Sequence, residues 1–189
     1  MKKAKLLTLS VLSLFTLTLA SCGEENVPPV PTKEELVLNA YNNVLSTCKT
    51  IEQTITISHE GLVYATEEIT INTRNGSKTT VTKVANSLDS DTPWTETSEY
   101  EVVDLSKANQ KLEVSMFTSL TANESLHVVG KISNESVYNV FGLDSNDISG
   151  FVYVDIRVSS YTNIVVQEVV VEYESVTGND VEVVTTYLY

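Results

Sequence analysis

Between Lys33 and Cys48 the apolar residues Leu36, Val37, Ala40, Tyr41, Val44, Leu45 and Cys48 recur at intervals of three and four, which lines one face of a helix. Asn39, Asn42, Asn43 and Thr47 fall largely off that face. Just before it, Thr32-Lys33-Glu34-Glu35 matches a capping box, in which the threonine hydroxyl satisfies a free backbone N–H and Glu35 reaches back to the cap. The β-branched and Asn content is poor for an isolated helix, so this one depends on packing its apolar face against something.

From Thr50 onward the period changes to two. Ile51, Ile55 and Ile57 alternate with Glu52, Thr54 and Thr56, and Leu112, Val114 and Met116 alternate with Glu113 and Ser115. With the wealth of Val, Thr, Ile and Tyr, this predicts strands near 50–58, 62–74, 78–85, 96–103, 111–117, 124–132, 150–158, 164–174 and 181–189. The connections read as hairpins, so the sheet is expected to be antiparallel and joined mostly in chain order. His59-Glu60-Gly61, Ser159–Asn163 and Thr177–Asp180 read as turns, and Asn75-Gly76 is the clearest, since both residues tolerate positive φ. A three-residue loop over Asn75–Ser77 pairs Ile71 with Val81, whereas a two-residue loop pairs Ile71 with Thr80; apolar pairing favours the first. A short helix is expected in Glu135–Leu143, where Val137, Tyr138, Val140 and Phe141 cluster before Gly142. Helices plus many antiparallel strands make an α+β domain.

The last third departs from simple alternation. In Phe151–Val158 and Ile164–Val171 apolar residues occupy both faces, so these strands are expected to be covered on both sides. The cover on the inner side is the helix from Lys33, the short helix near Tyr138, or a bound apolar molecule.

The N-terminus carries a different pattern. Lys2, Lys3 and Lys5 precede an apolar run, Leu6–Ala20, broken only by Thr and Ser, and small residues close it. That order is a secretory leader; the run is short of the ~20 residues of a spanning helix. Leu19-Ala20-Ser21-Cys22 resembles the lipobox of bacterial lipoproteins. The resemblance implies a diacylglycerol thioether on Cys22, cleavage just before it, and a mature protein held to a cell membrane on its extracytoplasmic face. Two or more acyl chains anchor stably, at about 0.8 kcal/mol per buried methylene. Gly23–Pro31 is polar and proline-rich and reads as a tether. The domain reading is therefore a signal peptide over 1–21, a tether over 22–32 and one α+β domain over 33–189.

Removing Lys2, Lys3 and Lys5 with the leader takes the formal charge from −13 to −16, which disfavours nucleic acid and anionic headgroups as partners. With Cys22 lipidated, Cys48 is the remaining cysteine and reads as a buried apolar residue rather than a nucleophile.

The order of a lipidated leader, a capped amphipathic helix, long antiparallel strands, a short helical interruption and a final pair of hairpin strands resembles the lipid-carrier domains of the LolA type and the mycobacterial lipoprotein carriers. The likeness is greatest at Gly150–Asp155 and Tyr161–Val165, a strand ending in Asp, a short turn and a returning strand. It implies a curved half-barrel-like sheet over helices, with acyl chains held between, and it carries over no individual binding residue.

Chemistry is scarce. The chain has no G-x-S-x-G, H-E-x-x-H, G-x-x-x-x-G-K or C-x-x-C, and its two histidines, His59 and His127, would form a metal site only on adjacent strands. Asp89-Ser90-Asp91 and Asp144-Ser145-Asn146-Asp147 offer oxygens for calcium but lack the twelve-residue loop ending in glutamate, and read as turns. Trp94 reads as a plug at an open end of the sheet in preference to a lid over a cavity mouth. No catalytic residue, metal or cofactor is expected. The leading expectation is a membrane-anchored, non-catalytic binding module for a lipid or other apolar ligand, and the alternative is a structural or adhesive envelope lipoprotein with a self-filled core.

Overall fold

The computed structural model describes residues 29–85, 94–105, 111–124, 127–133, 144–159 and 164–189. Pro31–Tyr189 forms one compact unit. The leader, Cys22, Asp89–Asp91 and the expected helix at Glu135–Leu143 lie outside the described residues.

The capping box is present. Thr32 Oγ1 accepts from the Glu35 N–H at 3.2 Å and Glu35 Oε2 accepts from the Thr32 N–H at 2.8 Å, starting α1, Lys33–Asn42. The expected single helix is interrupted at Asn43 (φ −108°, ψ 0°) and resumes as α2, Val44–Thr47. Of the expected face, Val37, Val44 and Cys48 are buried and Ala40, Tyr41 and Leu45 pack half-buried against the core, but Leu38 is buried in place of Leu36, which is 39% exposed. The reason is long-range. Asn42 accepts from the Leu112 N–H at 2.8 Å and donates to the Leu112 carbonyl at 2.9 Å, which holds that segment against the Leu38 side of α1.

Nine strands follow: β1 Thr50–His59, β2 Leu62–Asn72, β3 Ser77–Ala85, β4 Trp94–Val102, β5 Phe117–Ala122, β6 His127–Ser133, β7 Ile148–Val158, β8 Val166–Ser175 and β9 Asp180–Leu188. They form one open, curved antiparallel sheet in the order β4-β3-β2-β1-β9-β8-β7-β6-β5. Neighbours in sequence are thus neighbours in the sheet, except that β1 pairs with β9 and β4 does not pair with β5. The two hairpin series are joined where Ile51 lies opposite Tyr187, Ile55 opposite Val183 and Ile57 opposite Val181.

Ladder partners share a face, so the core face can be followed across the sheet. Ile51, Ile55 and Ile57 lead to Tyr187, Val183 and Val181, then to Val169 and Val171, to Val154 and Ile156, and to Val128 and Ala122. The buried members of this face belong to one apolar cluster with Val37, Leu38, Val44, Cys48 and Leu112.

Four expectations are corrected. Residues 111–117 are not a strand: Val114–Met116 is a 3₁₀ turn, and the strand begins at Phe117. The Asn42 amide takes up the Leu112 backbone groups that a strand would need. The β2–β3 hairpin pairs Ile71 with Lys78, not Val81. Asn72 and Asn75 each accept through Oδ1 from the N–H two residues on (Arg74 and Ser77, both 3.0 Å), and the Gly76 N–H donates to the Asn72 carbonyl, so the loop spans 73–76. Gly76 alone takes a positive φ there. Trp94, read as a plug, opens the edge strand β4 opposite Ala85 and is 46% exposed. Finally, β7 is not covered on both sides, since Phe151 and Tyr153 on the outer face are 50% and 45% exposed, whereas in β8 Val169 and Val170, on opposite faces, are both buried as expected.

The Glu60-Gly61 turn is found, with φ of 50° and 79°, as a two-residue hairpin with positive φ at both centres requires.

Candidate functional site

The described surface offers three places where chemistry or binding could reside. On the outer face, cross-strand pairing brings His127 opposite Arg157 and Arg157 opposite Glu168. Arg157 donates through Nε to Asp155 Oδ2 at 3.0 Å and through Nη1 to Glu168, and His127 Nδ1 lies 3.5 Å from Asp155 Oδ1. Hydrogen bonding to Asp155 holds the Arg157 guanidinium above its ordinary pKa, so it stays charged. Asp155 Oδ1 is buried without a hydrogen-bond partner. A histidine beside a carboxylate suggests a base and its orienting acid. The cluster is a cross-strand charge ladder on the half-buried outer face, and among the described residues its hydrogen bonds and ion pairs include no hydroxyl or thiol.

The second place lies beneath the helices. Burial pushes the Tyr41 phenol up to about 12 and that of Tyr187 well above the usual value. Burial also raises the Cys48 thiol. A thiol held protonated is a poor nucleophile, so Cys48 is a core residue, as the sequence reading preferred. Tyr189 donates to the Val166 carbonyl at 2.7 Å and closes the C-terminus onto β8.

The third is an open groove of about 570 Å³ between α1 and residues 111–115. Pro31, Leu38, Leu112 and Val114 supply its apolar lining, while Glu35, Lys111 and Glu113 bring charge to it. Leu38 and Leu112 are nearly fully buried, at 2% and 1%, so the apolar surface left for a ligand is mainly that of the exposed Val114 and Pro31.

The sequence-predicted residues are not brought together. His59 ends β1, where its Nδ1 lies 3.3 Å from the Gly178 carbonyl, and β9, β8 and β7 separate that strand from the one carrying His127. Asp144 is used locally, its Oδ1 accepting from the Asn146 N–H at 2.9 Å to cap a 3₁₀ turn over Ser145–Asp147. Among the described residues no group of three or more His, Cys, Asp or Glu could hold a metal ion, and no helix is long and apolar enough to cross a membrane. The charge ladder was missed in the sequence, where only the alternation of Asp155, Arg157 and Glu168 with apolar residues hinted at a shared face.

No family model matches the chain, and no curated protein matches it. Among solved structures it is similar to the CurJ dehydratase, in an inactive mutant in complex with a compound, at 11% identity and a TM-score of 0.24 over 84% of this chain and 80% of that one. It is also similar to a bifunctional dehydratase-cyclase domain from ambruticin biosynthesis, at 8% identity and a TM-score of 0.20 over 85% and 82%. Likenesses at these TM-scores carry no argument about activity.

Proposed function

We propose that the protein is a lipid-anchored, extracytoplasmic binding domain that acts without catalysis and meets its partner on its outer surface. Anchoring rests on the lipobox-like Leu19-Ala20-Ser21-Cys22 after a basic and apolar leader. Surface action is supported by one observation above others, the packing of the core face. Val37, Ile132, Val152 and Ile156 are 0% exposed, and Leu112, Val128, Val154 and Val166 are at 1%. The protein's own side chains thereby take the apolar contacts that an acyl chain would need. This is the structural or adhesive alternative of the sequence reading, and of the two terminal strands that argued for a bound lipid, β7 lacks its outer cover at Phe151 and Tyr153 while β8 keeps Val169 and Val170 buried on opposite faces.

A second reading keeps the lipid-carrier likeness. In it α1 packs on a half-barrel-like sheet as a movable wall, and an apolar or amphipathic molecule enters the groove beside Leu38 and Leu112. The groove's volume supports it, since ligand sites run to roughly 300–1,000 Å³.

Fractionation of Cys22→Ser in a bacterial host tests the anchor. The variant should leave the membrane fraction and be released from the cell surface or into the extracytoplasmic space. Continued membrane association would contradict the reading.

A further inference from the structure

The two edges of the sheet are treated differently. β5 is six residues long and has a register shift between Phe117 and Ser119. Its Ala122 N–H is capped by Glu34 Oε1 of α1 at 2.9 Å. Shortness, a bulge and a cover are the devices by which proteins blunt an edge. Among the described residues β4 has none of them. It runs nine residues, Trp94–Val102, in unbroken register with β3, and every residue is exposed.

The direction of its free backbone groups follows from one hydrogen bond. The Val103 N–H donates to the Gly76 carbonyl at 2.8 Å, continuing the β3–β4 register by one pair. In an antiparallel ladder, alternate residues exchange both bonds with the partner. Odd-numbered residues of β4 therefore turn their N–H and C=O toward β3, and Glu96, Ser98, Tyr100 and Val102 turn theirs outward. The same even-numbered set shares one side-chain face, on which Trp94, Tyr100 and Val102 are 46%, 70% and 67% exposed. Glu99 and Glu101 stand on the other face; Glu101 is paired with Lys78 at 2.9 Å, while Glu96 and Glu99 have no ion pair among the described residues.

We infer that β4 is a strand-addition site for an extended, basic segment of a partner protein. The outward N–H and C=O groups supply the ladder, the apolar side chains Trp94, Tyr100 and Val102 supply alternate-side packing, and Glu96 and Glu99 select for Lys or Arg. Charge complementarity decides the occupant: a second copy would bring the same carboxylates to a chain of formal charge −13. The inference rests on the surface-binding reading and deepens it.

The test is titration of the full chain in detergent micelles with a synthetic decapeptide of alternating lysine and valine. An otherwise identical peptide with a central proline and a glutamate-valine counterpart serve as controls. Ser98→Pro removes an outward N–H and leaves the β3 ladder intact; Glu96→Lys with Glu99→Lys leaves the backbone and reverses the charge. Saturable binding of the basic peptide, weakened at least tenfold by each variant at unchanged Tm, is the expected result. No binding overturns the proposal. Equal binding to Ser98→Pro overturns the edge assignment and leaves the surface reading standing. A dimer that Ser98→Pro abolishes replaces the basic partner by a second copy. Failure of the anchor would appear separately, in the fractionation of Cys22→Ser.

Discussion

Gly130 offers a sharp test of how β5 and β6 pack, because a single added carbon has a measured place to go. A Cβ at this position would sit 2.4 Å from Phe117 Cδ1, 2.8 Å from Phe117 Cε1 and 2.9 Å from Leu120 Cδ1. These are ring and methyl carbons on the core side of β5, where Leu120 lies opposite Gly130 and Phe117 opposite Ile132, so Phe117 must leave its rotamer or the strands must part. Such overpacking costs about 1–3 kcal/mol. Against it, removing a glycine from a strand interior contributes roughly 0.5–1 kcal/mol of stability through chain entropy. Gly130→Ala should therefore destabilise by about 1–2 kcal/mol, which for a domain of this size lowers Tm by roughly 2–8 °C. Thermal unfolding followed by circular dichroism measures it. A cycle with Phe117→Leu separates the cause: if the ring is the obstacle, the pair should couple by about 1 kcal/mol, with Gly130→Ala nearly harmless beside Leu. A Gly130→Ala protein as stable as the parent would refute the packing of Phe117 over the strand.

Further outcomes follow from the tyrosines, the tightest turn and the helix cap. The Tyr41 phenol, raised to about 12 by burial, binds its proton more tightly folded than unfolded; its stabilisation is full below pH 10 and is lost as pH rises from 10 toward 12. Tyr41→Phe should flatten the alkaline loss by about 2 kcal/mol in denaturant melts at pH 8 and 11.5, and an unchanged slope would exclude Tyr41 as its source. Glu60 holds φ at 50° in a turn that prefers Asn-Gly, so Glu60→Asn should raise stability by roughly 0.5–1 kcal/mol in a urea titration; a loss would mean the Glu60 side chain contributes something the turn geometry does not. Thr32→Ala removes the acceptor of the Glu35 N–H and should cost about 1 kcal/mol, read in the same titration against a Thr32→Ser control that retains the cap.

Local signals in the sequence were legible where one short stretch decides the structure. The capping box at Thr32 and Glu35, the turn at His59-Glu60-Gly61 and the alternation that places Ile51, Ile55 and Ile57 on one face are all contained in a few neighbouring residues. The errors arose where residues far apart in sequence intervene. Leu112, Val114 and Met116 alternate like a strand, but Asn42, seventy positions earlier, holds the Leu112 backbone. The β2–β3 register turned on Asn72, outside the loop that Asn75-Gly76 suggested, because two Asx turns lengthen the connection. β1 and β9 pair across nearly the whole domain, and nothing in either strand announces the other. Apolar residues on both faces of β7 suggested double cover, yet Phe151 and Tyr153 stand exposed. No site was legible as such: the Arg157 ladder depends on cross-strand neighbours, and the open edge of β4 depends on which strand ends the sheet.

The central claim is that the core is filled by the protein itself and that binding occurs on the outer surface. Native mass spectrometry of the Cys22→Ser protein, recovered from its bacterial host and then exposed to fatty acid and phospholipid, tests it most directly. The bare polypeptide mass is expected before and after exposure. A stoichiometric acyl ligand, either carried through purification or taken up, would contradict it and move the site to the groove beside Leu38 and Leu112.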